Sequence, residues 1–170
     1  MEAARITASQ AGTLACPYCG RTWSDDLPWV ADAQRHWGWC GVRLLDGDQT
    51  VGVVLLAPDG SEATVMAAWV TPDRVYQGAG KRLVQAVCAG LVGRKVHVIV
   101  AHGAATTPTC VALPRPFLRR VGFVRMDDRR LWRLDVDAAV VEPPSALDVL
   151  GRLVGSLRPI RPEPAVFEHR

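Results

Sequence analysis

Residues 70–83 read VTPDRVYQGAGKRL, and this stretch decides the fold. It has the pattern of a strand end, a short connector and a turn with two glycines that opens an amphipathic helix. The first backbone N–H groups of such a helix have no acceptor within the helix and lie at the positive end of its dipole. The turn therefore predicts an anion site, above all for a phosphate group.

Two common phosphate-binding patterns do not fit this turn. A dinucleotide-binding fingerprint (G-x-G-x-x-G) requires a third glycine three residues after Gly80, and the chain has Leu83 there, after Arg82. A P-loop requires Ser or Thr after its Gly-Lys pair and a glycine five residues before its second glycine. Those places hold Arg82 and Val75. The sequence thus excludes both nucleotide-binding classes for this turn.

The turn and its flanks resemble the acyl-CoA turn of the GNAT family of N-acetyltransferases. The family pattern is Arg or Gln, two residues, Gly, one residue, then Gly or Ala, after a strand that ends in Val-x-Pro. Here residues 70–72 (VTP) end the strand and residues 77–82 (QGAGKR) supply the turn, with Arg82 in place of the usual small residue. Residues 117–123 (FLRRVGF) resemble the family's late helix and the Gly-Phe that opens its sixth strand. The resemblance covers residues 41–136.

The resemblance implies a mixed α/β fold with a GNAT-like central sheet and flanking helices. It also implies that acetyl-CoA donates an acetyl group to an amine, which would belong to a small molecule, a protein lysine or a protein N-terminus. In such proteins the strand end binds the pantetheine arm, and the amides of the turn bind the pyrophosphate. The cofactor-binding residues implied for this chain are Val70, Gln77, Gly78, Ala79, Gly80, Lys81 and Arg82.

The resemblance leaves the catalytic residues open. Family members often place a Tyr before the late glycine to protonate the leaving thiolate, and this chain has Leu118 there. Tyr76, Cys110 and water are the alternatives for that role. Glu62, before the third predicted strand, and His102, at the end of the strand after the glycine helix, are the candidates for the general base. A non-catalytic acyl-CoA-binding sensor is the alternative function that Leu118 favours.

The first 40 residues differ from the rest in their cysteines. Cys16 and Cys19 are separated by two residues, and His36 and Cys40 follow with three residues between them. Pairs with these spacings close tetrahedral zinc sites, so Cys16, Cys19, His36 and Cys40 are predicted to bind a structural zinc ion. Buried thiols and a hydrogen-bonded histidine are the alternative. With Trp23 after the first pair, the segment also resembles the zinc knuckle of the sister-chromatid cohesion acetyltransferases, which act on a protein lysine.

Composition divides the chain into three segments. Residues 1–40 are the zinc-knuckle segment, residues 41–136 the acetyltransferase domain, and residues 137–170 a C-terminal helix followed by a proline-rich tail. An apolar face on the helix predicted at 145–157 must be covered by this domain or by a second copy, which would be a homodimer. Strands are predicted at 42–45, 51–57, 63–70 and 96–101, helices from 83 to 91 and at 117–121, and a hairpin at 123–126 and 131–136.

Overall composition narrows the function classes further. The 170 residues are 49% hydrophobic and carry a net charge of +3, which fits one globular domain with a core. The basic residues are scattered, which argues against nucleic acid as a partner. No apolar run reaches the roughly 20 residues of a membrane-spanning helix, and no leader pattern is seen. A cytoplasmic protein is therefore expected. A zinc-dependent interaction module, in which residues 1–40 recognise a partner, is a second alternative function.

Overall fold

Seven strands form one sheet in the computed structural model, which describes residues 1–140. The tail helix predicted at 145–157, and the homodimer contact assigned to it, lie outside the described residues. Within residues 1–140, no helix is long and apolar enough to cross a membrane. The strands are β1 (Glu2–Ile6), β2 (Gly41–Asp46), β3 (Gln49–Asp59), β4 (Glu62–Val70), β5 (Val98–His102), β6 (Val124–Arg125) and β7 (Leu131–Asp135). The helices are α1 (Ala8–Ala11), α2 (Pro28–Trp37), α3 (Ala79–Leu91), α4 (Arg115–Arg120) and α5 (Val136–Val140).

The strands follow the order β1-β2-β3-β4-β5-β7-β6. Neighbours are antiparallel except for β4 and β5, which run parallel. That parallel pairing is short, because only residues 62–64 of β4 are in register with residues 98–100 of β5. The second half of β4 remains paired with β3 but diverges from β5. A V-shaped opening in the sheet results, and one edge of β4 borders it.

The core lies on both faces of the sheet. β3 buries seven consecutive residues, 51–57, a pattern typical of a strand that is covered on both sides. Both α2 and α3 pack against β3. In α3 the predicted stripe is buried at Leu83, Val87, Cys88 and Leu91, which lie on one face of the helix. α3 is therefore anchored to the sheet, and its first turn is held at the opening beside β4.

The first 40 residues belong to the same sheet. β1 pairs with β2 along its whole length, from Glu2 opposite Leu45 to Ile6 opposite Gly41. β1 was not predicted from the sequence, because only Ile6 in this edge strand is a large apolar residue. Trp39 is buried, and its ring lies 3.1 Å from the position that a Cβ on Gly90 would take. The sheet therefore continues across the boundary drawn at residue 40.

Candidate functional site

A cavity of about 650 Å³ opens where β4 diverges from β5. Its walls come from the second half of β4, the first turn of α3, helix α4, the loop before α4 and the N-terminal segment. The residues that line it include Tyr18, Ala68, Val70, Tyr76, Gly78, Gly80, Lys81, Cys110, Phe117 and Arg120.

The sequence predicted an anion site at the turn that opens α3, and in the structure this turn holds the uncapped start of the helix. Gly78 is the N-cap residue with φ +81°, a left-handed conformation that favours glycine, and no side chain caps the helix. Gly80 follows in the first turn, where a Cβ would come within 2.6 Å of the Phe117 ring. The helix therefore needs glycine at both positions, for different reasons.

Arg82 lies inside this helix rather than at its open end. Its backbone N–H donates to the Gly78 carbonyl oxygen at 3.1 Å, as in a regular helical turn. Its guanidinium Nη1 donates to the Met1 carbonyl oxygen at 3.3 Å. Of the two glycines of the turn, Gly80 is closely approached by the Phe117 ring, and Gly78 is open. The arginine that departs from the family pattern does not obstruct the open end of the helix.

The segment before the helix is held by its own side chains. Gln77 Nε2 donates to the Asp73 carbonyl oxygen at 2.6 Å, and Arg74 Nη1 donates to Gln77 Oε1 at 3.4 Å. Arg74 also forms an ion pair with Asp46 at the end of β2. Tyr76 has φ +64°, which is uncommon for a residue with a Cβ, and its side chain is 93% exposed. The segment that leads into α3 is therefore held by its own hydrogen bonds and by an ion pair to β2.

The edge of β4 that borders the cavity carries two long-range hydrogen bonds. The Ala68 N–H donates to the Cys110 carbonyl oxygen at 2.7 Å. The Tyr18 hydroxyl donates to the Val70 carbonyl oxygen, also at 2.7 Å. The Thr71 N–H donates instead to the Val51 carbonyl oxygen of β3. This agrees with a strand in which the backbone groups of successive residues point to opposite neighbours. A ligand that pairs with this edge thus shares it with Tyr18 and Cys110.

The two general-base candidates do not line this cavity. Glu62 begins β4, at the opposite end of the strand from Val70. His102 is exposed at the end of β5, where its carbonyl oxygen accepts the Leu113 N–H at 2.7 Å. Leu118, in the place of the family's Tyr, is fully buried. Sequence reasoning missed Tyr18, which reaches the cavity from a distant segment without any local signal.

Three cysteine sulfurs meet beside this edge. The Sγ atoms of Cys16, Cys19 and Cys110 lie within 4.8 Å of one another, and Cys19 and Cys110 are 3.6 Å apart. The Arg21 backbone N–H bonds to the Cys19 sulfur and lowers the pKa of that exposed thiol. Burial raises the pKa of the Cys110 thiol to about 12. Burial, followed by the charges of Cys16 and Asp73, raises the pKa of Tyr18.

The structure brings together only two of the four predicted zinc ligands. Among residues 1–140, Cys16 and Cys19 group with Cys110, and neither His36 nor Cys40 joins them. His36 is exposed on α2, with Nδ1 2.9 Å from the Asp32 carbonyl oxygen. Cys40 is fully buried, with its sulfur 3.5 Å from the Ile6 carbonyl oxygen, and burial raises its pKa to about 11. The spacing of His36 and Cys40 was misleading because one residue is at a helix surface and the other is in the core.

Comparisons with known proteins identify the fold. No protein-family model and no curated protein matches the sequence. The ribosomal-protein-S18-alanine N-acetyltransferase from Escherichia coli matches with a TM-score of 0.55 and 15% identity, over 79% of this chain and 93% of that one. Ard1 from Thermoplasma volcanium matches with a TM-score of 0.56 and 13% identity, over 78% and 93%.

A third structure was solved with a ligand. It is yncA from Salmonella typhimurium with its cofactor acetyl-CoA, at a TM-score of 0.53 and 15% identity, over 85% of this chain and 98% of that one. At such identities the likeness establishes architecture alone. The mixed α/β fold expected from the sequence is confirmed, and the chain has the GNAT fold of N-acetyltransferases.

Proposed function

We propose that this protein is an N-acetyltransferase that transfers an acetyl group from acetyl-CoA to an amine. The observation that carries the proposal is one cavity that contains both the uncapped start of α3 and the diverging edge of β4. The first feature suits a pyrophosphate and the second suits an extended amide chain. Acetyl-CoA contains both groups, and the similarly folded yncA was solved with acetyl-CoA.

The donor would be held mainly by backbone groups. The amides at the start of α3 would bind the pyrophosphate, and Gly78, whose Cβ position is open, would leave room for its close approach. Arg120, exposed on the cavity wall, would add positive charge. The pantetheine arm would pair with the edge of β4 near Val70, as an added strand does.

The reaction would be a direct transfer. The neutral amine nitrogen attacks the thioester carbonyl carbon, the C–S bond breaks, and CoA leaves as a thiolate. The nitrogen gives up one proton to water as the amide forms, and the thiolate takes one up, so the protons balance. Holding both reactants in the cavity supplies much of the acceleration. We propose Tyr18 as the proton donor, because its hydroxyl lies at Val70 beside the path of the thioester arm.

Calorimetric titration with acetyl-CoA tests the proposal directly. We expect binding, followed by acetyl transfer when small amines, lysine peptides and peptide N-termini are supplied with labelled acetyl-CoA. Absence of CoA binding at millimolar ligand would refute it. Tyr18→Phe should keep acetyl-CoA binding and lower the transfer rate, about 10²-fold or more if the hydroxyl is the general acid.

A non-catalytic acyl-CoA sensor is the second candidate. The buried Leu118, and the positions of Glu62 and His102 away from the cavity, favour it. The same titration and acceptor panel separate the two functions, because a sensor binds acetyl-CoA and acetylates nothing. A separable interaction module receives less support, since β1 and α2 are built into the sheet and its packing.

Further features belong to the proposal. A protein lysine is one acceptor class to include, because of the N-terminal resemblance to the cohesion acetyltransferases. We also propose that the N-terminal segment binds zinc, with Cys16 and Cys19 among the ligands. The five free cysteines fit a reducing compartment such as the cytoplasm. A homodimer through the helix predicted at 145–157 stays a prediction.

A further inference from the structure

The spacing of the three cysteine sulfurs matches a metal site. A tetrahedral zinc ion with Zn–S bonds of about 2.3 Å separates its sulfur ligands by roughly 3.8 Å. The Cys19 and Cys110 sulfurs are 3.6 Å apart, and the Cys16 sulfur lies within 4.8 Å of both. A disulfide would require about 2.05 Å between two sulfurs and would leave the third without a partner. A single ion at the centre of the group accounts for all three.

Both sides of the group are held in place by backbone hydrogen bonds. On the N-terminal side, the Gly20 N–H donates to the Cys16 carbonyl oxygen at 2.8 Å, and the Cys16 N–H donates to the Arg21 carbonyl oxygen at 2.9 Å. This turn keeps Cys16 and Cys19 together, with Gly20 at φ +70°. On the other side, the bond from Ala68 fixes Cys110 against β4 at 2.7 Å. The ligands are therefore preorganised without the ion.

We propose that Cys16, Cys19 and Cys110 bind one zinc ion that fastens the N-terminal segment to the wall of the acyl-CoA cavity. Each thiol releases its proton as it binds Zn²⁺, so the protein contributes three thiolates. No fourth Cys, His, Asp or Glu of the described chain joins the group. The fourth position is assigned to an exchangeable ligand such as water.

The position of the site gives it a role in the cavity. Tyr18 lies between the ligands Cys16 and Cys19 in the sequence, and its hydroxyl donates a hydrogen bond to the Val70 carbonyl oxygen. Cys110, the third ligand, is bonded through its own carbonyl oxygen to the Ala68 N–H. The ion would therefore join the two segments that contact this edge of β4. Without it each segment is held by its own hydrogen bonds alone, so we expect that wall of the cavity to be less rigid.

Metal analysis of single variants tests the ligand set. Purified under reducing conditions, the full chain should contain one zinc ion, and Cys16→Ser, Cys19→Ser and Cys110→Ser should each lose it. His36→Gln and Cys40→Ala should keep the zinc ion. The ligand set predicted from the sequence instead requires these two variants to lose zinc and Cys110→Ser to keep it. Zinc retained in Cys110→Ser, lost in folded His36→Gln, or absent from the wild-type protein would overturn the proposal.

A replacement ligand guards against misfolding. Cys110→His offers a different zinc-binding atom at the same place, so it should recover zinc that Cys110→Ser lost, with circular dichroism as the check on folding. Recovery of the fold without recovery of zinc would show that position 110 matters only for packing, against the proposal.

The link to the cavity rests on the proposed function and is measured separately. Calorimetry should show about tenfold weaker acetyl-CoA binding after zinc is removed by a chelator and in Cys110→Ser, with His36→Gln as the matched control. Equal affinity with and without zinc would overturn the link. If the wild-type protein holds zinc with the predicted ligands but binds no acetyl-CoA, the proposed function fails and the metal site stands.

Discussion

Replacing Gly78 by alanine separates the backbone role of the turn from its contact with a ligand. Gly78 has φ +81°, and a Cβ built there meets nothing within 4 Å. The substitution therefore causes no clash in the free protein. It forces alanine into the left-handed region, which costs about 1–2 kcal/mol. The new methyl group also stands at the N-cap of α3, where a phosphate would approach.

Gly60→Ala is the matched control. Gly60 lies in the turn between β3 and β4, has φ +59°, and its Cβ position is equally open. Both variants should lose about 1–2 kcal/mol of unfolding free energy in urea titrations, a fall of roughly 2–8 °C in Tm. Only Gly78→Ala should weaken acetyl-CoA binding. Losing one hydrogen bond to a charged phosphate, worth about 1.5–3 kcal/mol, corresponds to about tenfold or more in Kd.

Isothermal titration well below both melting temperatures gives the deciding comparison. If Gly78→Ala and Gly60→Ala lose equal stability and bind acetyl-CoA equally well, the start of α3 does not hold the pyrophosphate. If Gly78→Ala loses no stability, the left-handed conformation assigned to it is wrong.

Three further changes have defined outcomes. Gly80→Asp should abolish acetyl-CoA binding in calorimetry, because it adds bulk against Phe117 and a negative charge where a phosphate belongs. Gly103→Ala should lower the unfolding free energy in urea by about 1–3 kcal/mol, because its Cβ would lie 2.3 Å from Trp132 Nε1. Burial raises the pKa of the Cys88 thiol from 9.0 to about 11, so the folded protein holds that proton more tightly than the unfolded chain. Unfolding free energy should therefore fall as pH rises from about 9 to about 11, and Cys88→Ala should reduce that slope.

The elements from β2 to β7 were predictable because their signals are local. The alternating burial of β4 follows from its own residues, and the apolar stripe of α3 has helical spacing. The glycine turn was predictable for the same reason. Even there the local signal was incomplete, since the need for glycine at position 80 comes from Phe117, 37 positions later in the chain. The family pattern also expects a small residue at position 82, where this chain has Arg82. The structure instead requires glycine at position 78, for its positive φ, and at position 80, for the Phe117 ring.

The cysteine group could not be predicted in the same way. Cys19 and Cys110 are 91 residues apart, and only the path of the sheet brings them together. Residue spacing instead favoured His36 and Cys40, which are nearer in sequence. Spacing identifies ligands reliably only when one short segment encloses the ion, and here the partner of the Cys16–Cys19 turn belongs to the loop beside β4.

The two sides of the cavity therefore differ in origin. The turn proposed to bind the pyrophosphate is built from consecutive residues, so a resemblance in sequence can identify it. The opposite wall is assembled from Tyr18, Cys110 and the edge of β4, which no local pattern connects. The proposed direct transfer requires the amine to lie next to the thioester, and therefore near this wall. Substitutions in the N-terminal segment should consequently change acceptor choice and transfer rate more than they change the anion site at α3. Substitutions around Tyr18 should therefore alter which amines are acetylated, whereas substitutions in the glycine turn should alter acetyl-CoA affinity.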